Sequence, residues 1–234
     1  MGWKIEIGAA GTHKYAVSKS GDVVEVVERP DGGIGIGLAD GQGSGPSARD
    51  IARMVATQAA DRLREGVRAE AAAIAASDLL FHARGGQVSA GLDLVTIDAA
   101  GGIDIARFSS NLIVVGLCDD WRVLDRPGDP AGRAGDHLPV IESVPLQLGL
   151  RLILATDGIA GAGERFGSKL DLSAVLPEIE GEPDAATMAN WLLDLAIEAD
   201  RGRPQDDMTV VVVTIDEANG DQRIRRSSVS AVWR

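Results

Sequence analysis

Three aliphatic segments of this chain run directly into or out of an aspartate, and this repeated pattern limits what the chain can fold into. The aspartates are Asp40, Asp157 and Asp206. In the first segment, Ile34, Ile36 and Leu38 alternate with small residues, which predicts a strand buried on at least one face. A carboxylate at a rigid strand end, followed by glycines that leave room for a ligand, suits a bound cation or phosphate. Asp-Gly is also ordinary turn chemistry, so each segment alone leaves both interpretations open.

A predicted hairpin brings a fourth aspartate to the first. Residues 22–28 form another strand-like run, and the turn sequence of residues 29–33 leads from it into the strand that ends at Asp40. Because antiparallel strands bring the start of a hairpin to its end, Asp22 is expected beside Asp40. Two carboxylates at one end of a hairpin indicate a site, and the alternative is a pair of solvated strand-end acids.

The rest of the chain is predicted to mix helices and strands. Apolar residues at helical spacing predict four helices, with Ser44 and Asp184 as candidate N-caps of two of them. These helices are residues 46–65, 70–83, 172–179 and 184–200. Further strands are predicted at residues 3–9, 88–98, 102–108, 112–117 and 121–124. The spacing of the last four strands is typical of an antiparallel meander.

Two segments rich in glycine, proline or aspartate are predicted to be mobile connections, namely residues 125–139 and 159–167. No linker long enough to separate domains occurs between the predicted elements. Residues 1–234 are therefore interpreted as a single domain, in which residues 219–234 form a last strand or a tail.

Composition excludes several classes of protein. The net charge of −12 argues against a general nucleic-acid binder or a binder of anionic membranes. The single cysteine, Cys118, rules out an internal disulfide and a multi-cysteine zinc site, and its apolar neighbours indicate an inert buried thiol. No apolar run approaches the ~20 residues of a membrane span, and no signal peptide is recognised, so we expect a cytoplasmic protein without membrane attachment.

The four aspartates would repel one another if folding brought them together, unless cations neutralised them. Aspartate oxygens without cysteine or histidine ligands indicate hard cations such as Mg²⁺ or Mn²⁺. Other ligand-binding motifs fail. The twelfth position counted from Asp40 is Ile51, where a calcium EF-hand needs glutamate. The glycines at 35 and 37 lie inside the strand instead of opening a helix, and no Gly-Lys-Ser/Thr phosphate loop occurs.

Four motifs follow one another along nearly the whole chain. They are Ser20-Gly-Asp22, Leu38-Ala-Asp40-Gly-Gln-Gly-Ser-Gly45, Leu154-Ala-Thr-Asp157-Gly-Ile159 and Asp206-Asp-Met-Thr-Val210. Together they resemble the metal-dependent serine/threonine phosphatases of the protein phosphatase 2C type, in the bacterial stage II sporulation protein E-like branch with its stand-alone stress-response phosphatases. The resemblance implies an α+β fold: a central antiparallel β-sandwich flanked by α-helices in α-β-β-α layers, with a metal cleft at one end.

The resemblance also implies a set of metal-binding positions. They are Asp22, Asp40, Gly41, Asp157, Asp206 and Asp207. In that arrangement Asp40 bridges two Mn²⁺ or Mg²⁺ ions, and the Gly41 carbonyl joins the first ion. Asp157 and Asp206 hold the second ion, so that Asp40, Asp157 and Asp206 act in catalysis through metal-bound water.

Two of the implied ligands differ from the others in role or certainty. Asp22 is expected to be an outer ligand that acts through water. Asp207 replaces the asparagine that is common elsewhere in the family, which leaves open whether Asp206 or Asp207 coordinates. A third ion, seen in some bacterial members, has only Asp119 and Asp136 as candidate ligands.

The activity that the resemblance implies is removal of phosphate from phosphoserine or phosphothreonine. A hydroxide held by the two cations attacks the phosphoryl group of a phosphorylated regulatory protein, such as an anti-sigma-factor antagonist or a related stress-response protein. The chain departs from the family at Gln42, which cannot act as a general acid. It also lacks the arginine that grips phosphate in eukaryotic relatives, for which Lys14 or Lys19 are substitutes. A catalytically impaired module that binds phosphoproteins or metal is therefore the alternative.

Overall fold

Two five-stranded antiparallel sheets form the centre of the protein in a computed structural model that describes residues 3–98, 101–117, 120–135, 137–179 and 184–218. Sheet I comprises β1 (Trp3–Thr12), β6 (Leu112–Leu117), β7 (Asp120–Val123), β9 (Leu150–Ala155) and β10 (Met208–Glu217), in the spatial order β1-β10-β9-β6-β7. Sheet II comprises β2 (Asp22–Glu28), β3 (Ile34–Gly41), β4 (Ala90–Ile97), β5 (Gly102–Phe108) and β8 (Val140–Pro145), in the order β2-β3-β4-β5-β8.

Helices cover the outer face of each sheet. They are α1 (Gly45–Arg64), α2 (Ala69–Arg84), α3 (Asp157–Ala160), α4 (Leu172–Val175) and α5 (Ala185–Ala199), with 3-10 turns at Glu164–Phe166 and Leu176–Ile179. One apolar cluster joins α1 and α2 to sheet II, a second fills the space between the sheets, and a third joins α5 to sheet I. The expected α+β sandwich with α-β-β-α layers is therefore confirmed.

Small side chains allow the helices to pack closely in a protein whose aromatic content is only 3%. The buried face of α1 carries alanine at 48, 52, 56, 59 and 60, and α2 presents buried alanines at 72, 73 and 76. Alanine loses no side-chain entropy on burial and favours helix, so these faces stabilise the layer without large side chains.

The two predicted N-caps differ in how they act. Asp184 begins α5, and its carboxylate accepts a hydrogen bond from the backbone N–H of Thr187 at 2.9 Å, so this cap is confirmed. Ser44 stands at the N-cap position of α1, but its side chain makes no capping hydrogen bond. Pro46 in the first turn supplies the helical φ angle instead, where no intrahelical N–H is lost.

The predicted meander is wrong. Strands β4 and β5 pair in sheet II, but β5 then pairs with β8, whereas β6 pairs with β7 and β9 in sheet I. Residues 109–111 therefore carry the chain from one sheet to the other. Strands β4, β5, β6 and β9 are all rich in aliphatic residues, so periodicity cannot tell which sheet each one joins. Strand β8 was not predicted.

Two other connections are more ordered than the sequence indicated. Residues 159–167 were predicted to be a mobile connection, but they contain the second half of α3 and a 3-10 turn. The segment 125–135 carries no helix or long strand, yet it is tied to the sheets: Ala131 and Ala90 exchange backbone hydrogen bonds of 2.8 and 3.1 Å. The short helix predicted at 172–179 is one α-helical turn followed by a 3-10 turn.

Some predictions fall on residues that lie outside the described part of the chain. They are Cys118, Asp119, Asp136 and the segment 219–234. In the described ranges, none of the helices has the length and apolar character needed to cross a membrane.

Candidate metal-binding site

The hairpin of β2 and β3 places two aspartates side by side, as the sequence predicted. Asp22 and Asp40 are directly opposite each other in the antiparallel register. Asp22 is buried, and Asp40 lies at the inner wall of a cleft of about 430 Å³. The hypothesis that these are two solvated acids at strand ends is therefore wrong for Asp22.

Strand β9 brings a third aspartate to the same cleft from the other sheet. Asp157 follows β9 directly as the first residue of α3 and lines the cleft. The buried Thr156 before it donates from Oγ1 to Asp22 Oδ2 at 3.2 Å and accepts from the Thr209 N–H at 2.9 Å. Thr156 thus links the ends of β9 and β10 in sheet I to Asp22 in sheet II.

The adjacent acids Asp206 and Asp207 have different roles in the structure. Asp207 is only 4% exposed, and its two carboxylate oxygens accept backbone hydrogen bonds from Lys14 and Gly21, both at 2.8 Å. The Asp206 side chain is 47% exposed at the cleft and lies 3.9 Å from the Lys14 ammonium. Both oxygens of Asp207 therefore hold the segment between β1 and β2. Both acids line the cleft, and Asp206 is the more exposed of the two.

Two glycines in the motifs are required by close approach of the backbone. A Cβ on Gly41 would lie 1.8 Å from the Ala48 carbonyl oxygen, where β3 passes the first turns of α1. A Cβ on Gly158 would lie 2.1 Å from the Asp207 carbonyl oxygen. The glycines that follow Asp40 and Asp157 are thus explained by packing of the backbone around the cleft.

The acids of the cleft raise one another's pKa values. Burial, followed by repulsion from the neighbouring carboxylates, raises the pKa of Asp40 to about 8. Burial also raises the pKa of Asp22 to about 7, although hydrogen bonds from Thr209 and Thr156 oppose the shift. Desolvation, and then the charge of Asp206, raise the pKa of Asp157. Lys14 is the one basic side chain among the described residues that line the cleft, so the site has a deficit of positive charge.

A divalent cation fits this deficit. Oδ1 of Asp22 is buried and has no hydrogen-bond partner among the residues that the structure describes. The donors are carboxylate and backbone oxygens, which hard cations prefer. Within the same ranges, no group of three or more His, Cys, Asp or Glu side chains is arranged closely enough to hold an ion as it stands. A bound cation would have to draw these oxygens closer together than they lie here.

The opposite side of the cleft is polar but not acidic. It includes Gln42, Ser89, Pro130 and the segment Ser109–Asn111. Gln42 Oε1 accepts a hydrogen bond from the Ser89 N–H at 2.9 Å, which fixes its amide against the start of β4. Of the two lysines considered as phosphate-binding substitutes, Lys14 lines the cleft.

The sequence analysis missed a buried ionic network behind this wall. Asp93 and Arg107 are directly paired on β4 and β5 and both are almost completely buried, with Arg107 Nε 3.4 Å from Asp93 Oδ1. Ser109 Oγ lies 2.7 and 2.8 Å from the two Asp93 oxygens, and Asn111 Nδ2 donates to Asp93 Oδ2 at 2.9 Å. The only signal in the sequence is one acid and one base inside otherwise apolar strand segments.

Arg107 extends this network along the cleft. Its guanidinium donates to the carbonyl oxygens of Leu124 at 2.7 Å and Arg126 at 3.2 Å, and also to that of Asn111. The Gly128 N–H donates to the Ser109 carbonyl at 2.7 Å. The network therefore fixes both the segment 109–111 and the beginning of the connection that follows β7.

Comparison with known proteins identifies the family. The Stage II sporulation protein E (SpoIIE) family matches residues 30–216. No match is found among curated proteins. The solved PP2C phosphatase domain with a fragment of the regulatory domain of SpoIIE from Bacillus subtilis has a TM-score of 0.80 at 22% identity. That match covers 93% of this chain and 65% of the other, so this chain spans less than two thirds of its length.

Two other solved structures share the fold. A structure reported for the bacterial stressosome has a TM-score of 0.68 at 23% identity, with 90% of this chain and 99% of that chain covered. The catalytic domain of the serine/threonine protein phosphatase PstP, in complex with 2 manganese ions, has a TM-score of 0.72 at 14% identity, with 92% and 100% covered. Because the family match extends over most of its length, this chain belongs to the SpoIIE family, with the fold of a PP2C-type phosphatase domain.

Proposed function

We propose that this protein is a Mn²⁺- or Mg²⁺-dependent protein serine/threonine phosphatase. The observation that carries the proposal is the convergence of Asp40, Asp157 and Asp206 on one cleft, with the buried Asp22 beside Asp40 and with Lys14 as the one basic side chain among the described residues that line it. Two bound cations would supply a hydroxide that attacks the phosphoryl group and would offset the charge that develops on it. The family match and the manganese in the PstP structure support this assignment.

The structure favours one choice between the two adjacent acids. Both oxygens of Asp207 already accept backbone N–H groups, from Lys14 and Gly21, whereas the Asp206 side chain is far more exposed at the cleft, so Asp206 is the proposed ligand. Asp40 and the Gly41 carbonyl would then hold the first ion, and Asp40, Asp157 and Asp206 the second. Asp22, which is oriented by Thr156, would act through water.

The residues of the chain contribute to orientation and charge rather than to proton donation. Gln42 lies in the cleft with its Oε1 bound to the Ser89 N–H, and an amide cannot protonate the departing serine or threonine oxygen. Solvent in the cleft would supply that proton. Lys14 is the one basic side chain among the described residues that line this cleft, so it can offset part of the negative charge of an incoming phosphate.

The proposed substrate is a phosphorylated regulatory protein in the cytoplasm, such as an anti-sigma-factor antagonist or a related stress-response protein. The structural likeness to a protein of the bacterial stressosome supports this class of partner. The protein used as substrate would present an exposed phosphoserine or phosphothreonine, because the cleft is open at the surface and is lined by polar groups.

The experiment that tests this function is hydrolysis of p-nitrophenyl phosphate and of a phosphoserine peptide in the presence of Mn²⁺, Mg²⁺ or a chelator. Asp40→Asn and Asp157→Asn should each lower turnover by about 10²-fold or more, since each removes charge needed in the transition state. Asp194→Asn, an exposed substitution on α5, is the matched control and should leave turnover unchanged. Retained Mn²⁺ binding without turnover in the wild-type protein would instead favour the phosphoprotein- or metal-binding module.

A further inference from the structure

The segment Ser109–Asn111, called here the serine wall, faces the metal-binding aspartates across a narrow gap. The residue between them is Gly91 on β4, which is paired with Asp40 on β3. A Cβ built on Gly91 would lie 3.5 Å from Ser109 Cβ and 3.6 Å from Asp40 Cβ. Because residue 91 has no side chain, the floor between Asp40 and the serine wall stays open.

Several hydrogen bonds to buried residues hold the serine wall in place. Asp93 receives hydrogen bonds from Ser109 and Asn111 below the cleft, and Arg107 binds the carbonyl of Asn111 from the same side. The Asn111 N–H also donates to Ser109 Oγ at 3.2 Å. Burying an ion pair is unfavourable unless its hydrogen bonds are satisfied, so this arrangement indicates a positional role for the wall. Such a network restricts the wall to one conformation.

Ser110 is the member of the wall whose side chain is exposed. All three residues line the cleft, but Ser109 and Asn111 are buried and bonded to Asp93, whereas Ser110 is exposed. In the part of the chain that the structure describes, no hydrogen bond involves the Ser110 hydroxyl. A fixed backbone therefore presents one free hydroxyl, which can both donate and accept, toward the space in front of Asp40.

We propose that Ser110 binds the main chain of the phosphorylated segment of the substrate, and that Ser109, whose hydroxyl is held by Asp93, positions it. This inference rests on the proposed phosphatase function. The phosphoryl group has to lie against the aspartate side of the cleft, where the cations would be. The serine wall, on the other side of Gly91, then meets the peptide that carries the phosphorylated residue. Ser110 is thus a specificity residue for phosphoprotein, and it is not needed for small aryl phosphates.

The first test compares Ser110→Ala with Ser143→Ala on two substrates, p-nitrophenyl phosphate and a phosphoserine peptide. Ser143 is an exposed serine on β8, paired with Asp104 away from the cleft. Loss of one hydrogen bond should lower kcat/KM for the peptide about three- to tenfold, through KM, with turnover of p-nitrophenyl phosphate unchanged. Ser110→Thr keeps the hydroxyl and should recover most of the loss. Ser143→Ala should match the wild-type protein on both substrates.

The second test separates positioning from general stability by a double-mutant cycle. If Ser109 acts by placing Ser110, then Ser109→Ala should lower peptide kcat/KM, and Ser110→Ala should lower it little further in that background. Additive losses would overturn the positioning role. Equal losses on both substrates in Ser110→Ala, or no loss on the peptide, would overturn the peptide contact. Absence of p-nitrophenyl phosphate hydrolysis in the wild-type protein would reject the phosphatase function itself.

Discussion

Asp40 and Asp93 stand on neighbouring strands of sheet II and differ in what surrounds them. Burial raises the pKa of both carboxyl groups. Asp93 is compensated by Ser109, Asn111 and Arg107, whereas the charged groups that act on Asp40 are other carboxylates. The comparison separates a structural acid from a proposed ligand: Asp93 has a basic partner in the protein, whereas the charged groups that act on Asp40 are acids.

The two regions also share a boundary. The partners of Asp93 form the serine wall, and the serine wall and Asp40 flank the same opening above Gly91. One buried acid therefore shapes the side of the cleft on which we place the substrate chain, and the other shapes the side on which we place the cations.

The largest expected effect comes from making the same substitution in both regions. Asp93→Asn should lower the free energy of unfolding by about 3–5 kcal/mol, because it removes the nearer counter-charge of the buried Arg107 guanidinium and leaves Glu142, at 3.7 Å, as the remaining one among the described residues. Asp40→Asn, measured without metal, should leave the free energy of unfolding unchanged or raise it, because it removes repulsion among the cleft acids. Urea unfolding in a chelating buffer measures both, and equal losses would show that the two carboxylates are compensated alike.

Addition of Mn²⁺ should make the Asp40 carboxylate stabilising. Excess Mn²⁺ should stabilise the wild-type protein by about 2.7 kcal/mol at a concentration 100 times its dissociation constant, because it binds only the folded state. Asp40→Asn should lose most of this gain, and the exposed control Asp194→Asn should keep it. Thermal unfolding with and without Mn²⁺ is the measurement, and an undiminished gain in Asp40→Asn would place the bound ion elsewhere.

Asp206 and Asp207 allow the same comparison, between a proposed ligand and a structural acid, in two adjacent residues. Asp207→Ala leaves the buried Gly21 N–H without an acceptor and should lower the free energy of unfolding by about 1–3 kcal/mol. Asp206→Ala should have little effect on the metal-free protein but should weaken stabilisation by Mn²⁺. Urea unfolding without metal and thermal unfolding with Mn²⁺ measure both variants. Asp207 would be the ligand if Asp207→Ala weakened stabilisation by Mn²⁺ and Asp206→Ala lowered the stability of the metal-free protein.

The last expected effect is on pH dependence. The pKa of Asp40 is raised from 3.8 to about 8, so the folded state holds a proton that the unfolded state has lost. Its contribution to stability is full below the unfolded pKa and disappears as the pH rises through the folded value. The metal-free wild-type protein should therefore lose stability, relative to Asp40→Asn, between about pH 5 and about pH 8.

The charged groups that act on Asp40 are the other acids of the cleft, namely Asp22, Asp157, Asp206 and Asp207. Unfolding of both proteins across this pH range, with a chelator present, isolates their difference. If the wild-type protein instead gained stability relative to Asp40→Asn as the pH rises, positive groups of the protein would be compensating the negative charge of Asp40.

The sequence by itself determined the local parts of the site. Alternation predicted β3, the turn before it implied the hairpin, and antiparallel pairing then required Asp22 to lie beside Asp40. The N-cap of α5 at Asp184 was predictable because a cap depends on only a few neighbouring residues. Strand segments bounded by aspartate likewise identified Asp157 and Asp206 as members of one site.

Tertiary structure alone decided whatever depends on distant strands. The roles of Asp206 and Asp207 follow from the approach of the Lys14 and Gly21 backbone, more than 180 residues earlier in the chain. The exchange of sheets between β5 and β6 brings Ser109 and Asn111 to Asp93, and no periodicity in similarly apolar strands indicates which sheet they join. Local pairing is encoded by neighbours in the sequence, whereas the partners of a buried charge depend on how the layers pack.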